Sequence, residues 1–401
     1  MNAAFLNFRR RCPVCGGNRG SFLHRQRFML PVGHPLTSGY DVVCCGQCGF
    51  VYADIAATQT EYDQFYAQHS IYQSDLSSGG GETPWDAKRL AETALYIDRF
   101  ITEKTGRILD VGCANGGLLK AFRQLQYVNL HGIDPSPACV ENTRAYGFTA
   151  TQGCLGRNLS DLGRFDVVCL SHVLEHVLDM DIAVEAVLTL VNPGGMCYVE
   201  TPDVLRYAPF LKAPFQDFNT EHINHFSTVA LVQTFQLRSG WKVVDVGTKE
   251  ILSSPGNPFP VCYALLQRDE RITVPDCPAR MSDLKLAVKD YIDLSNQLLV
   301  KIEANLKANL APQMGFLVWG TGQLCMKLLV ETSLSEANIL SFVDGNAINW
   351  GQALKGISIK SPLDITDTHQ PILIASLLNQ AQIENDIRQK WKLTNPIIHL
   401  L

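Results

Sequence analysis

The segment FNTEHINHFS, residues 218–227, places Glu221, His222 and His225 within five positions. An imidazole has a pKa of about 6.5, so it can remove a proton near neutral pH, and a neighbouring carboxylate can orient it or stabilise its charged form. The same residue types bind metal ions, and polar residues between aromatics also form surface turns. The segment alone is therefore compatible with a catalytic base, a metal site or a surface turn.

Two cysteine pairs, Cys12-Pro-Val-Cys15 and Cys45-Gly-Gln-Cys48, have the spacing of metal knuckles and are each followed by glycine. Two intervening residues let both thiolates face one ion, and four thiolates form a closed tetrahedral zinc site with no position left for water. The pattern predicts a structural Zn²⁺, with Cys44 as an alternative to Cys45. Most of the other cysteines are single residues in apolar segments, which is typical of a reducing cytoplasm rather than a disulfide framework.

A glycine-rich turn lies between an apolar strand and an apolar-periodic helix in RILDVGCANGGLLKAF, residues 107–122. Glycines at such a turn let the backbone approach a ligand closely and let the helix N–H groups point at it. About 20 residues further on, LHGIDPSP ends a strand at Asp134, whose carboxylate can accept hydrogen bonds from ribose hydroxyls. This spacing suits either a dinucleotide site or an S-adenosylmethionine (SAM) site.

These residues need a scaffold, and from residue 88 onward the sequence alternates between strand and helix patterns. This alternation predicts an α/β fold with a parallel, doubly wound sheet. Its strands are expected at RILDVG, LHGID, FTATQG, FDVVCLS, MCYVETP and WKVVDVG. Residues 280–310 have apolar side chains at i, i+3/i+4 spacing, which predicts a long amphipathic helix, and another α/β unit follows it.

The bulk composition argues against several classes of function. The chain has 401 residues, 46% of them hydrophobic and 18% charged, which is typical of a globular protein with two or three domains. A net charge of -5 gives no electrostatic reason to expect a nucleic-acid partner. No apolar run approaches the roughly 20 residues of a membrane span, and MNAAFLNFRRRC lacks the apolar region of a secretory signal. We therefore expect a cytoplasmic protein without a membrane partner.

Three motifs occur in the order that resembles class I SAM-dependent methyltransferases: the D-x-G-x-x-x-G turn, FDVVCLSHVLEHV (165–177) and VNPGGMCYVETP (191–202). The resemblance covers roughly residues 85–250 and implies a Rossmann-like fold that binds SAM. A plain α/β nucleotide fold without methyl chemistry is the alternative. Ala114 stands where many members have glycine. The residues that the resemblance assigns to SAM are Asp110, Gly112, Ala114, Asn115 and Gly116 in the turn, Asp134 at the ribose, Leu155 at the adenine edge and His172 beside the pocket.

The whole chain resembles the deoxysugar C-methyltransferases, which act on nucleotide-linked 4-keto sugars. That family combines a four-cysteine zinc module, a SAM domain and a C-terminal domain, which FLVWGTGQLCMKLL, ILSFVDGN and KGISIKSPLDI (316–365) match in order. Its Glu-His pair after the Pro-Gly-Gly strand carries the base chemistry, which implies Glu221 and His222. A further family histidine lies beside the reacting sugar, which implies His176. Asn219 stands where the family has tyrosine.

The resemblance implies a mechanism in which a C–H next to a ketone is deprotonated to an enolate before methyl transfer. His222 is the predicted base and Glu221 its partner. The enolate oxygen needs hydrogen-bond donors. The candidates are His176, Asn219, Asn224, His225, Tyr62, Tyr66 and Tyr72.

Other functions remain open at this point: an O- or N-methyltransferase for another small molecule, a zinc-bearing RNA methyltransferase, or a non-catalytic SAM-binding protein that docks a partner. Gly320, Gly322 and Asp344 imitate a dinucleotide fingerprint, but Cys325 replaces its third glycine. We therefore expect a Rossmann-like domain that closes over substrate without NAD, and a monomer or homodimer.

The expected division is a zinc module at 1–60, a lid or linker at 61–87, the SAM-dependent methyltransferase domain at 88–275, a bridging helix at 276–312 and the C-terminal domain at 313–401.

Overall fold

The computed structural model describes residues 6–69, 80–156, 159–238, 240–273, 278–365 and 369–401. The chain divides into two compact units. The first comprises residues 1–23, 42–210 and 221–288, and the second comprises 24–41, 211–220 and 289–401. In the described part of the chain, no helix has the length and apolar character needed to cross a membrane.

The first unit is built on a seven-stranded sheet. Its strands are β5 (Arg107–Val111), β6 (Asn129–Asp134), β7 (Thr149–Gln152), β8 (Phe165–Ser171), β9 (Val191–Pro202), β11 (Trp241–Ser254) and β12 (Asn257–Arg268). Their order across the sheet is β11-β12-β9-β8-β5-β6-β7. The strands from β5 to β9 run parallel, whereas β12 is antiparallel to both β9 and β11.

The six strands expected from the sequence are all present, which confirms the α/β fold with a Rossmann-like parallel sheet. The sequence reading missed β12, so it did not anticipate that the sheet ends in an antiparallel pair. The reason is that GNPFPVCY contains two prolines, which break strand patterns. Pro258 and Pro260 lie in β12 opposite Leu252 and Glu250 of β11.

Helices flank this sheet where the sequence supplies capping residues. They are α1 (Gln59–His69), α2 (Pro84–Asp98), α3 (Gly117–Gln124), α4 (Pro137–Ala145), α5 (Met180–Leu190) and α6 (Thr228–Gln236). The side chains of Thr83, Ser136, Asp179 and Ser227 each accept a hydrogen bond from a backbone N–H in the first turn of α2, α4, α5 and α6. The apolar sides of α2 and α3 pack with β5 and β8 in one core that includes Ala94, Leu119 and Phe122.

A second sheet in this region carries the N-terminal cysteines. It consists of β1 (Leu6–Asn7), β2 (Arg19–Arg27), β3 (Gly39–Cys45), β4 (Val51–Asp54) and β10 (Asn224–His225), in chain order across the sheet. The pair β4–β10 is antiparallel, with Asn224 opposite Tyr52. Asn224 and His225 of FNTEHINHFS therefore form a strand of the cysteine-bearing sheet.

The second unit contains a six-stranded sheet of order β15-β16-β14-β13-β17-β18. The elements are α7 (Ser282–Asn309), β13 (Phe316–Trp319), α8 (Gln323–Glu331), β14 (Ile339–Val343), β15 (Ala353–Leu354), β16 (Ile357–Lys360), β17 (Ile372–Ile374), α9 (Gln380–Asn385) and β18 (Ile397–Ile398). The helix expected at 280–310 is confirmed as α7, and the boundary between the units falls inside it, after Val288. Ile302 and Leu306 of α7 join Leu328 of α8 in the core of this unit.

Candidate functional site

A cavity of about 460 Å³ opens in the first unit at the carboxyl ends of β5, β6 and β8. Ligands of parallel α/β sheets bind at this edge, and the volume is that of a small-molecule site. The cavity is lined by the turn after β5, by Asp134, and by His172, His176 and His222.

The turn after β5 needs unusual backbone angles. Gly112 has φ of +72°, and a Cβ atom there would lie 2.9 Å from Cγ2 of Val173. Ala114 also has positive φ, +44°, in a region that costs a non-glycine residue on the order of 1 kcal/mol. Its N–H donates to Oδ2 of Asp134 at 2.9 Å, which fixes the turn against the end of β6. Because Gly112 has no side chain and Ala114 only a methyl group, the backbone of this turn lies at the cavity wall.

Two buried carboxyls, Asp110 and Asp134, lie on the neighbouring strands β5 and β6. Asp134 also accepts from the backbone N–H of Ser136 at 2.9 Å. Burial raises the pKa of Asp134 to about 6. Burial, with the charge of Asp134 second, raises the pKa of Asp110 to about 8. At neutral pH Asp134 is therefore mainly ionised and can accept hydrogen bonds at the cavity wall, whereas Asp110 is mainly neutral and does not line the cavity.

Arg89 and Asp86 are cavity residues that the sequence analysis missed. Both lie in the first turns of α2, where Arg89 Nε donates to Asp86 Oδ1 at 3.0 Å and Thr83 Oγ1 donates to Asp86 Oδ2 at 3.0 Å. The capping signal Thr83-Pro84 shows where α2 begins, but only the fold brings its first turns to the end of β5. A guanidinium at this position can bind a ligand carboxylate.

A backbone contact joins the two chain segments that carry His176 and His222. Nδ1 of His176 donates to the carbonyl oxygen of Glu221 at 3.1 Å, because a carbonyl can only accept, so Nδ1 carries a proton. The rings of His176 and His222 lie edge to face with centroids 4.9 Å apart, and Tyr66 contacts His176 in the same way at 5.9 Å. The structure thus brings together the three catalytic residues predicted from the sequence.

The surroundings of His222 keep its imidazole ring neutral. Burial, followed by the neighbouring charge of His176, lowers the pKa of His222 well below its usual range. Burial raises the pKa of Glu221, and His176 opposes that shift. A neutral imidazole is the form that can accept a proton.

Glu175, His176 and His222 also form a group that could hold a metal ion, since one ligand atom from each lies within 4.8 Å of the others. Glu175 is buried, with Oε1 3.0 Å from Nδ1 of His172, and its Oε2 has no hydrogen-bond partner within the described residues. The arrangement is therefore compatible with proton transfer and with cation binding.

Some residues that were predicted to bind SAM or to take part in the reaction do not line the cavity. Asn115 accepts from Nδ2 of Asn142 at 3.0 Å, and Gly116 caps α3 with φ of +76°; neither lines the cavity, whereas Leu155 does. His225 is fully buried, 3.3 Å from the hydroxyl of Tyr207, and burial lowers its pKa to about 3.

Of the residues predicted to stabilise the enolate, some line the cavity and others lie elsewhere. Tyr66 lines the cavity and Tyr62 lies in the core. Asn224 donates to the carbonyls of Leu174 and Val177. Asn219 belongs to the second unit, where its carbonyl accepts from Tyr40. Tyr72 lies outside the described residues.

The two cysteine pairs converge on one point. Sγ of Cys12 lies 3.6 Å from Sγ of Cys48, Sγ of Cys15 lies 3.6 Å from Sγ of Cys45, and all four lie within 4.8 Å of one another. Thiolates tetrahedrally bound to zinc at 2.3 Å are roughly 3.8 Å apart. Cys44 points elsewhere, with its Sγ 3.5 Å from the carbonyl oxygen of Gly49. The donor set and spacing fit Zn²⁺ and exclude Cys44.

In the second unit, the Asp344 carboxylate joins the turn after β13 to the turn after β14. Oδ2 accepts from N and Oγ1 of Thr321, and Oδ1 accepts from the N–H of Asn346 at 2.8 Å. Gly320 has φ of +94°, and Cys325 is fully buried in α8. The absence of NAD stays a prediction.

Comparison with known proteins identifies the central region. A family model described as "Methyltransferase domain" matches residues 85–246. This region is a methyltransferase domain. A second family model, "C2185-like, N-terminal", matches residues 313–395.

The methyltransferase domain has curated relatives. A ubiquinone biosynthesis O-methyltransferase of Marinobacter nauticus is 32% identical over 115 residues, 26% of this chain and 48% of that protein. One of Azorhizobium caulinodans is 35% identical over 102 residues, 24% of this chain and 40% of that protein. The chain thus spans less than half the length of these relatives. Among solved structures, the magnesium protoporphyrin IX methyltransferase of Synechocystis is 12% identical with a TM-score of 0.42, covering 53% of this chain and all of that one.

Proposed function

We propose that this protein is a SAM-dependent C-methyltransferase that acts on a nucleotide-linked 4-keto deoxysugar. One observation carries the proposal: the same cavity is lined by Gly112, Ala114 and Asp134 and by His176 and His222. A methyl donor and a proton-accepting imidazole then face the same substrate, which carbon methylation next to a ketone requires.

The chain's own residues fit SAM. The backbone at Gly112, where a Cβ would collide with Val173, accepts the methionine part, and ionised Asp134 accepts from the ribose hydroxyls. Leu155 faces the adenine, and Arg89 pairs with the methionine carboxylate. When bound, SAM supplies an electrophilic methyl group.

His222 removes the proton from the carbon next to the ketone. Its low pKa keeps it neutral before reaction. The enolate that forms beside it and the carboxyl of Glu221 then stabilise the imidazolium. Nδ1 of His176 donates to the carbonyl oxygen of Glu221, so this N–H does not serve the enolate oxygen, and the hydroxyl of Tyr66 is the donor that we assign to it.

The proposal includes a structural Zn²⁺ bound by Cys12, Cys15, Cys45 and Cys48. The closed four-thiolate set leaves no coordination site for substrate. Metal analysis should therefore find one zinc per chain. A second bound ion that disappears in Glu175→Gln would make His222 a metal ligand instead of a free base.

O-methylation of another small molecule is the second candidate, because the curated relatives quoted above are named O-methyltransferases. The same cavity and base would serve, with a hydroxyl in place of the acidic C–H. The site of the new methyl group distinguishes the two functions.

The test combines product analysis with hydrogen exchange. We expect labelled SAM and a panel of nucleotide-linked 4-keto deoxysugars to give a product whose methyl lies on carbon by NMR. In D₂O without methyl donor, the enzyme should exchange the C–H next to the ketone. His222→Ala should slow both reactions by about 10²-fold or more while SAM still binds, and exposed His369→Ala is the control. Wild-type turnover in His222→Ala, or a methyl on oxygen, contradicts the proposal.

A further inference from the structure

Arg10 binds the backbone on both sides of the two catalytic histidines. Its Nη2 donates to the carbonyls of Val177 at 3.0 Å and Leu178 at 2.8 Å, directly after His176. Its Nη1 donates to the carbonyl of Ile223 at 3.2 Å, directly after His222. One guanidinium therefore holds two chain segments, 174–178 and 221–224, that are more than 40 residues apart in sequence.

Asn224 completes the connection. Its Oδ1 accepts from Nη2 of Arg10 at 2.9 Å, while its Nδ2 donates to the carbonyls of Leu174 and Val177 at 2.8 and 2.7 Å. The N–H of Ile223 donates to the carbonyl of Glu175 at 2.9 Å. These bonds flank the 3.1 Å contact between His176 and Glu221. The relative position of the two rings is thus set mainly by backbone bonds that converge on Arg10 and Asn224.

Arg10 is itself anchored to the cysteine-bearing sheet. Its N–H donates to Oδ1 of Asp54 at 2.8 Å, and its carbonyl accepts from the hydroxyl of Tyr52 at 3.2 Å. The guanidinium carbon lies 5.7 Å from the centre of the Tyr52 ring. Two residues further on, Cys12 enters the four-thiolate cluster. The anchor and the metal cluster therefore belong to one short segment.

From these contacts we infer that Arg10 is a positioning residue, through which the cysteine module fixes the distance and angle between His176 and His222. The inference rests on the proposed function, because it assigns the histidines to the reaction. Arg10 does not line the cavity, so it acts through the backbone rather than on the substrate. The planar fork of five N–H groups suits several carbonyls at once, whereas lysine offers a single point charge.

The chain offers a matched control in Arg238. Its Nη2 donates to the carbonyl of Pro13 at 2.8 Å, so it also binds the backbone of the cysteine module. Its other partners are the carbonyls of Val14 and of Thr234 in α6 and the carboxylate of Asp181. Arg238 therefore supports the same module without contact to segments 174–178 or 221–224.

The experiment compares Arg10→Ala, Arg10→Lys and Arg238→Ala in the full chain. We expect Arg10→Ala to keep its zinc and to bind SAM within about twofold of wild type. Its kcat and its rate of C–H exchange in D₂O should fall at least about tenfold with little change in KM. Arg10→Lys should lie between, and Arg238→Ala should keep kcat within about twofold. If Arg10→Ala does not fold, Arg10→Lys carries the comparison against Arg238→Ala.

A second readout separates this inference from the proposed function. With ¹⁵N-labelled histidine, the ring signals of His176 and His222 should shift in the Arg10 variants and stay unchanged in Arg238→Ala, whatever the enzyme methylates. Unchanged ring signals, or equal losses of kcat in the Arg10 and Arg238 variants, would overturn the positioning role. A wild-type enzyme that exchanges no ketone C–H would overturn the proposed function alone.

Discussion

At the scale of single residues, burial decides what each titratable group can do. Asp134 and Asp110 are both buried aspartates at the ends of neighbouring strands, yet only Asp134 lines the cavity and accepts from two backbone N–H groups. Those bonds favour its ionised form and partly oppose the effect of burial on its pKa. The two carboxyls therefore differ in charge at neutral pH.

This difference predicts how SAM affinity depends on pH. Because the pKa of Asp134 is about 6, its carboxylate loses an acceptor as the pH falls through that value. We expect the Kd for SAM to rise about tenfold between pH 7.5 and pH 5, as measured by calorimetry. Asp134→Asn should bind weakly at both values and lose most of the slope. An equal slope in the variant would assign the pH effect to another group.

At the scale of elements, the turn between β5 and α3 is shaped by backbone requirements rather than by side chains. Gly112 has positive φ and lies close to Val173. Ala114 also has positive φ, and the hydrogen bond from its N–H to Asp134 offsets the cost of that backbone angle. The parallel order of β8, β5 and β6 then presents this turn beside the segment that carries His172 and His176.

Substitution of glycine in this turn should cost more than its backbone angle alone. Gly147 provides the control, because its φ is +82° and a Cβ there would meet open space. We expect Gly147→Ala to lose about 1 kcal/mol of stability. Gly112→Ala should lose about 1–3 kcal/mol more and bind SAM at least about tenfold more weakly. Thermal unfolding and calorimetry measure both effects, and equal losses would rule out the close contact with Val173.

At the scale of the whole molecule, the four cysteines join two stretches of chain about 30 residues apart. Metal binding at such a site contributes directly to folding, because the unfolded chain does not hold the ligands together. Through β4 and β10, the same sheet reaches the segment after His222. The stability of the cysteine cluster and the geometry of the cavity are therefore connected within the first unit.

Neighbouring cysteines give a direct test of the metal site. Cys45→Ser should lose the bound zinc and lower the melting temperature, because a hydroxyl replaces one of four thiolates. Cys44→Ser should retain the zinc, because its Sγ contacts the carbonyl of Gly49 instead. Metal content by mass spectrometry and a thermal melt distinguish them. Zinc loss in Cys44→Ser with retention in Cys45→Ser would reverse the ligand assignment.

The sequence by itself determined the local features of this protein. Strand, glycine turn and helix at residues 107–122, the strand that ends at Asp134 and the two cysteine pairs are each readable within a few residues, because backbone angles and ligand spacing are local requirements. The Glu221–His222 pair was predicted from the resemblance to the deoxysugar C-methyltransferases, because the segment by itself is equally compatible with a metal site or a surface turn.

Only the tertiary structure decided which of these residues meet. It put Arg89 and Glu175 on the cavity wall, turned His225 into the core beside Tyr207, separated Cys44 from Cys45, and connected Arg10 to both histidine segments. These outcomes depend on side-chain direction in irregular segments and on contacts across many residues of sequence. Neither has a periodic pattern, so packing of the finished fold selects them.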